Sequence, residues 1–355
     1  MIWEKIRGHS RQVEMFRQSI GRGRLAHAYL FVGLDGIGKR MFAHALAQCL
    51  FCTRFDDGQL EACGECSSCR QMMAGSHPDY LTVGVPAGKK DLPIELIAGS
   101  NERRGREGLC YELSLSPMSA NRKVAVIDDV NRMNDASANA LLKTLEEPPA
   151  DSALILIATD TDSLLPTIRS RCQLVRFAPL PTEDLAELIL DLEISENRNE
   201  AETMAALSDG SLFVAKQLAD PELRQLRTTL YDSLASTEFD SLAISEELLA
   251  GLDRLGGDAQ NRRSNAIWLI QFCTTFFSAA VRFLSESDAN ASIPQVEKLG
   301  RRLLPASEED IELLMELFDR SALAAEQIGR MTPVPLSLQA LFDDLGRMLR
   351  GRTRN

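Results

Sequence analysis

The pattern of apolar and polar residues contains three short apolar runs, each of which ends in a polar loop. The runs cover residues 28–32, 124–127 and 154–158. Stretches with helical periodicity separate them, at residues 40–50 and at residues 139–147 before Pro148. Strands that are apolar on both faces and alternate with helices are typical of a parallel sheet with helices on both sides. The first half of the chain is therefore predicted to be an α/β domain.

The pattern changes after Phe177. Pro179 and Pro181 interrupt the chain, and from there to Met348 the sequence shows helical periodicity and loops without a strand candidate. These changes predict a domain at residues 1–178, a small helical domain at 179–222, a larger helical domain at 223–349 and a disordered tail at 350–355.

Composition narrows the function classes. The 355 residues include 39 Lys and Arg against 51 Asp and Glu, which gives a formal net charge of −12. Such a charge argues against a large nucleic-acid surface, because phosphate binding relies on clustered cations. No run of eighteen apolar residues predicts a membrane span, and no apolar leader precedes a cleavage site. The protein is predicted to be cytoplasmic, with no membrane partner.

The loop after the first apolar run has the form G-x4-G-K. Gly33, Gly36, Gly38 and Lys39 are the predicted phosphate-binding residues, with backbone N–H groups and one lysine directed at a nucleotide. The next residue is usually a serine or threonine that binds Mg²⁺, and here it is Arg40. A guanidinium cannot bind a metal cation. ATP binding with weak or absent hydrolysis is therefore predicted, Mg²⁺ is doubtful, and a glycine turn that binds nothing remains the alternative.

Two aspartates follow the second apolar run. Asp128 is the candidate for binding Mg²⁺ through water, and Asp129 occupies the position where hydrolases of this type usually have a glutamate. The aspartate side chain is one methylene shorter than glutamate, so its carboxylate reaches less far toward an attacking water. The alternative is that both residues only cap the strand and the next turn. Thr159, at the end of the third run, is a further nucleotide-binding candidate.

Four cysteines follow the predicted loop-helix unit with the spacing C-x10-C-x2-C-x2-C. Cys52, Cys63, Cys66 and Cys69 are the predicted ligands of a structural Zn²⁺ in a lobe at about residues 49–75. A disulfide framework is the main rival, and an iron–sulfur cluster is another. Cys49 competes with Cys52 for the first ligand position. Helical spacing instead places Cys49 on one buried face with Met41, Phe42, Ala45 and Leu46.

Together these stretches resemble the bacterial clamp-loader branch of the AAA+ ATPases. The matching segments are IRGH at 6–9, RLAHAYLF at 24–31, CGECSSC at 63–69, GSHPD at 75–79, NALLKTLEEPP at 139–149 and LLPTIRSRC at 164–172. The resemblance covers about half the chain. It implies an AAA+ P-loop domain with an inserted zinc lobe, followed by a helical lid and a helical collar that joins subunits.

The resemblance also implies roles for single residues. In Ser170-Arg171-Cys172, Arg171 corresponds to the arginine finger that reaches the ATP site of a neighbouring subunit. The lid of the family carries a nucleotide-sensing arginine after Gly-Ser-x, and here Phe213 stands in that place.

The departures at Arg40, Asp129 and Phe213 weaken the chain's own ATP chemistry and leave Arg171 intact. Within the family that the chain resembles, they favour a subunit that completes the ring and stimulates its neighbour. The resemblance implies gamma/tau and delta subunits as partners in a hetero-pentamer, which places the sliding clamp on primed DNA for DNA polymerase III. One alternative is an ATP-hydrolysing gamma/tau-type motor of the same complex. Another is a zinc-dependent nucleic-acid-binding module.

Overall fold

The computed structural model describes residues 2–86, 89, 91–162, 164–256, 259–285, 293–303, 307–330 and 332–350. Residues 351–355 of the predicted disordered tail lie outside that range. The chain forms two compact units. One comprises Met1–Leu188 with Asp209–Phe213, and the other comprises Ile189–Ser208 with Val214–Asn355.

The first unit contains a five-stranded parallel sheet. Its strands are β1 (Ala28–Val32), β2 (Tyr80–Val83), β3 (Lys123–Ile127), β4 (Ser152–Ala158) and β5 (Gln173–Arg176). Their spatial order is β2-β3-β4-β1-β5, and the register pairs Val32 with Ala158 on one side and with Arg176 on the other. The strands predicted at the three apolar runs are confirmed, as is the α/β fold class. The two edge strands, β2 and β5, were not predicted.

Eight α-helices of the described residues belong wholly or mostly to this unit. They are α1 (Ser10–Gly21), α2 (Lys39–Phe51), α3 (Ser67–Met73), α4 (Ile94–Ala98), α5 (Leu109–Ser114), α6 (Asp135–Glu146), α7 (Pro166–Arg169) and α8 (Thr182–Asp191). Asn134 starts α6 as its N-cap, since its side-chain oxygen accepts a hydrogen bond from the Ser137 N–H at 2.9 Å. The helix thus begins earlier than the predicted residue 139, and it ends at the prolines as expected.

The two faces of β1 are buried in different clusters. Ala28, Leu30 and Val32 join an aliphatic core with residues of β3, β4 and α6. Phe31 points the other way, toward Phe16 of α1 and Phe42 of α2, at ring-centroid distances of 5.9 and 5.8 Å. Alternating side chains of one strand therefore hold helices on both sides of the sheet.

One predicted core residue is on the surface. Met41 was expected on the buried face of α2 with Phe42, Ala45, Leu46 and Cys49, but its side chain is 57% exposed whereas the other four are buried. The prediction for Met41 is wrong because the face of α2 that packs on the sheet is centred on Phe42 and Leu46, and Met41 lies at its margin.

A buried carboxylate fixes the chain before β3. Asp79 is fully buried, and its oxygens accept hydrogen bonds from the backbone N–H groups of Met118, Ser119 and Ala120 at 2.7–2.8 Å. Burial alone would raise the pKa of Asp79, but these hydrogen bonds outweigh it and lower the pKa below its usual value. The aspartate of the GSHPD segment therefore anchors the loop that leads into β3.

The second unit is helical. Its helices are α9 (Arg198–Leu207), α10 (Leu212–Ala219), α11 (Pro221–Leu234), α12 (Ser241–Arg254), α13 (Ala259–Ser285), α14 (Pro294–Leu303), α15 (Glu308–Gly329) and α16 (Val334–Arg350). Ser307 and Asp310 form a capping box at the start of α15. At the other end of α15, Arg263 donates hydrogen bonds to the carbonyls of Ile328 and Thr332 at 2.6 and 3.1 Å, which satisfies groups left open by the helix end.

Among the described residues, one helical segment is long and apolar enough to cross a membrane, at residues 262–285 of α13. Ile270, Phe276 and Phe277 on this helix are completely buried inside the helical unit. Core helices of water-soluble proteins have the same length and composition. The segment packs mainly against α15.

Candidate nucleotide site and cysteine cluster

The glycine loop connects β1 to α2 at the carboxyl edge of the sheet. Lys39 is the first residue of α2 and is only 6% exposed. Its ammonium donates hydrogen bonds to the carbonyl oxygens of Gly33 and Leu34, both at 2.6 Å, and lies 4.0 Å from the Asp35 carboxylate. Burial lowers the pKa of Lys39, while Asp35, Asp128 and Asp129 oppose the shift. The lysine is thus held inside the loop by the loop's own carbonyls.

Glycines give the loop its shape and let another segment lie on it. Gly36 and Gly38 have φ angles of +75° and +97°. A Cβ atom on Gly36 would lie 2.4 Å from the backbone nitrogen of Phe213. The Leu212 N–H donates to the Gly36 carbonyl at 3.2 Å, and the Ser211 hydroxyl donates to the Asp35 carbonyl at 2.6 Å. The segment with Phe213 therefore covers the glycine loop directly.

Arg40 and Asp128 face each other across this edge. Their closest nitrogen and oxygen atoms are 3.7 Å apart, and the Arg40 side chain is 71% exposed. Burial, followed by the neighbouring Asp129, raises the pKa of Asp128. Asp129 has a left-handed backbone, with φ at 54°, and its N–H donates to the Asp128 carboxylate at 3.1 Å. This donor set does not fit Mg²⁺, since a cation occupies the usual hydroxyl position and already pairs with the strand-end carboxylate.

Thr159 follows β4, the strand next to β1. Its hydroxyl donates to the Asp160 carboxylate at 3.0 Å. The sheet thus brings four groups together at the carboxyl ends of its strands: the glycine loop, Arg40, Asp128 and Thr159. This is expected for groups that follow parallel strands.

Arg171 lies at the opposite end of the strands, where the amino ends of β1 and β5 meet. It precedes β5, whereas the glycine loop follows β1, and β5 is parallel to β1 with Gln173 beside Tyr29. The strand length alone separates the two by at least roughly 10 Å. The guanidinium donates to the Thr167 carbonyl at 2.9 Å and forms an ion pair with Glu146 at 2.8 Å. The fold does not bring Arg171 to the glycine loop of its own chain.

The four predicted metal ligands form a cluster between the end of α2 and the start of α3. The sulfurs of Cys52, Cys63, Cys66 and Cys69 all lie within 4.8 Å of one another, and those of Cys63 and Cys69 are 3.9 Å apart. A tetrahedral zinc site with Zn–S bonds of about 2.3 Å requires sulfurs roughly 3.8 Å apart. All eight cysteines are free thiols, and Cys49 is buried outside the cluster. The donor set fits one zinc ion.

Backbone N–H groups favour the ionised form of two of these thiols. The N–H groups of Glu65 and Cys66 donate to the Cys63 sulfur at 3.5 and 3.3 Å, and they lower the pKa of Cys63. Burial opposes ionisation of Cys66, but hydrogen bonds from Thr53 and Cys69 lower its pKa to about 6. Gly64 makes the turn possible with φ at +72°. Burial raises the pKa of Cys69 to about 12, so this thiol requires a cation to ionise at neutral pH.

Glu146 beside Arg171 and His9 beside the glycine loop take positions that the sequence reasoning did not assign. His9 is 1% exposed, and its Nε2 atom lies 2.5 Å from the Ile37 carbonyl inside the glycine loop. Both residues stand inside segments that carried the family resemblance, which was the available signal.

A family model of known proteins matches a stretch that lies within the first unit. The family model described as "DNA polymerase III, delta subunit" matches residues 8–181. DNA polymerase III subunit delta′ of Pseudomonas aeruginosa is 34% identical over 235 residues, which is 66% of this chain and 68% of that protein. The chain belongs to the DNA polymerase III delta′ subunit family. The expected relationship to the delta′ subunits of bacterial clamp loaders is thereby confirmed.

Other members and relatives agree with this assignment. Subunit delta′ of Escherichia coli K12 is 36% identical over 213 residues, or 60% of each protein. Subunit tau of Salmonella typhimurium is 32% identical over 248 residues, which is 67% of this chain and 36% of tau. Members of the delta′ family and tau are thus related, and the chain spans about a third of the tau relative.

Proposed function

We propose that this chain acts in a clamp loader as the delta′ subunit, which completes the ring and supplies Arg171 to the ATP site of the adjacent motor subunit. Its partners are gamma/tau and delta subunits in a hetero-pentamer. Through that complex it takes part in the ATP-driven loading of the sliding clamp on primed DNA during replication. Family membership supports the assembly, and the position of Arg171 supports the role within it.

The observation that carries the proposal is the separation of Arg171 from the glycine loop of its own chain. An arginine at the far end of the strands cannot act on a nucleotide at the near end, which supports an action in trans. Its side chain is 35% exposed and therefore accessible to a neighbouring subunit. A guanidinium near the transferred phosphoryl group accelerates hydrolysis by stabilising the charge of the transition state.

The chain's own site supports binding more than hydrolysis. The loop retains Lys39 and the glycines that surround a phosphate, so ATP can bind weakly. Arg40 pairs with Asp128 where a hydrolase requires Mg²⁺, and Asp129 is short for a general base. The Phe213 segment lies on Gly36. An intrinsic ATPase activity close to background follows from this combination.

The cysteine cluster is assigned to a structural zinc ion. All four ligand positions are thiols, which leaves no position for a catalytic water. Zinc therefore stabilises the lobe between α2 and α3 and does not take part in ATP chemistry.

The test is ATP turnover by the purified chain alone and after its addition to motor and delta subunits with clamp and primed DNA. Wild type, Arg171→Ala and Arg169→Ala are compared, because Arg169 is an exposed arginine of α7 two residues away. Negligible turnover alone is expected, together with a stimulation of the mixture that Arg171→Ala abolishes and Arg169→Ala retains. Robust turnover by the chain alone would identify it as a motor subunit instead. Stimulation that survives Arg171→Ala would overturn the finger.

A zinc-dependent nucleic-acid module makes a different prediction in the same preparation. It requires the isolated chain to bind primed DNA tightly, and the net charge of −12 argues against this. Fluorescence anisotropy with labelled primed DNA separates the two functions.

A further inference from the structure

The guanidinium of Arg171 is held by two helix ends. Its Nη1 atom donates to the carbonyl oxygen of Thr167 in α7 at 2.9 Å and approaches the Ser170 hydroxyl at 3.4 Å. Its Nη2 atom lies 2.8 Å from the Glu146 carboxylate, at the last residue of α6. Each terminal nitrogen of the fork therefore has its own partner, and the guanidinium plane is restrained in two directions.

Glu146 is an unusual residue for its position. Helix C-termini carry partial negative charge, so a carboxylate in the last turn is unfavourable unless a cation lies beside it. Arg171 is that cation. The two prolines after α6 end the helix, so Glu146 is its last residue, and the Glu146 carboxylate lies against Arg171. Glu147, the next residue, is equally acidic and exposed, and no ion pair of it is found among the described residues.

We propose that Glu146 is a positioning residue for the arginine finger. This inference rests on the proposed trans action of Arg171. A free arginine side chain samples many rotamers, and confining it before the neighbouring subunit arrives lowers the entropy lost when it engages the nucleotide. The contacts with Glu146 and Thr167 each use one terminal nitrogen of the fork. The remaining N–H groups among the five guanidinium donors stay available for phosphate oxygens.

The pair is partly exposed, with side-chain exposures of 35% for Arg171 and 50% for Glu146. Interactions of this kind contribute modestly, so Glu146→Ala is expected to lower the stimulated ATP turnover by about two- to fivefold. The loss belongs in kcat, with KM for ATP unchanged, because Glu146 does not touch the nucleotide. Glu146→Gln, which keeps the acceptor oxygen and loses the charge, should give an intermediate rate.

The experiment uses the full chain assembled with motor and delta subunits, clamp and primed DNA. Glu146→Ala, Arg171→Ala, the double variant and Glu147→Ala are compared for ATP turnover, with thermal unfolding of each purified chain as a stability control. If Glu146 acts through Arg171, the double variant is no slower than Arg171→Ala alone, and Glu147→Ala behaves as wild type.

The outcomes separate this inference from the proposed function. If Arg171→Ala leaves the stimulation intact, the trans-acting finger itself is wrong. If Arg171→Ala abolishes it while Glu146→Ala matches wild type, the finger stands and the positioning role is wrong. A double variant slower than Arg171→Ala, or a Glu146→Ala chain that unfolds several degrees lower, would assign Glu146 to general stability. Faster turnover in Glu146→Ala would mean that the carboxylate sequesters the finger, which also overturns the proposal.

Discussion

Replacement of Cys66 by serine separates metal binding from helix capping. Cys66 is the N-cap of α3, and its sulfur accepts a hydrogen bond from the Cys69 N–H at 3.4 Å. Serine is a preferred N-cap residue and accepts the same hydrogen bond, so the helix start is retained. The variant loses one thiolate of four. Destabilisation of Cys66→Ser beyond that of a control cysteine variant therefore reports the metal.

The size of the effect follows from the four-sulfur geometry. Structural zinc sites in peptides bind with about 10–16 kcal/mol, which is about 2.5–4 kcal/mol for each of four ligands. Loss of one ligand should weaken zinc binding by roughly 10²- to 10³-fold. Because folding of the lobe is coupled to the metal, the melting temperature of the protein should fall by roughly 5–15 °C in zinc-limited buffer.

The assay is zinc content by elemental analysis after dialysis against a chelator, followed by thermal unfolding. Wild type should retain about one zinc ion per chain. Cys110→Ser is the matched control, since Cys110 is a half-buried cysteine outside the cluster. Unchanged zinc content and unchanged melting of Cys66→Ser would refute the structural zinc site. A melting loss of equal size in Cys110→Ser would show that the effect is not specific to the cluster.

Two further predictions concern the fold around the sites. Asp79→Asn places an amide group against backbone donors and should cost about 2–4 kcal/mol in the free energy of unfolding. Because folding lowers the Asp79 pKa from its ordinary 3.8, the wild-type contribution is present above that pH and is lost as pH falls through the lower folded value. Urea unfolding between pH 3 and 7 measures both effects, and an equal pH slope in wild type and Asp79→Asn would contradict the assignment. Gly36→Ala should cost roughly 2–5 kcal/mol from its left-handed backbone and its clash with Phe213. Gly75→Ala, with φ at +66° and no atom near its Cβ, isolates the backbone cost at about 1–2 kcal/mol, and equal losses in the two variants would contradict the clash.

The sequence alone was sufficient for the central strands and the cysteine cluster. β1, β3 and β4 are buried on both faces or nearly so, and continuous burial produces continuous apolar runs. The zinc ligands are close in sequence, so their spacing alone predicts that they meet. The glycine loop was also evident, because the positive φ angles it needs are met by glycine.

The edge strands could not be found in the same way. In β5, Val175 is buried and the other three residues are exposed, and in β2 no residue is fully buried. Such strands are defined by pairing with a neighbour that is distant in sequence, and their pattern of apolar and polar side chains is weak. The exposure of Met41 has a similar origin, since periodicity predicts a helical face but the packed neighbours set its width.

Contacts across the sheet were decided by tertiary structure. Residues 40 and 128 are 88 positions apart in the numbering, and their pairing depends on β3, β4 and β1 lying side by side. The parallel direction of β5 and β1 places Arg171 at the end of the strands away from the glycine loop, where it meets Glu146. The sequence by itself determined which segments become buried strands, which loop takes glycine conformations and which thiols are close enough to share a metal, since each depends on neighbouring residues. Only the tertiary structure decided which charges meet, because that depends on the order in which distant strands pair.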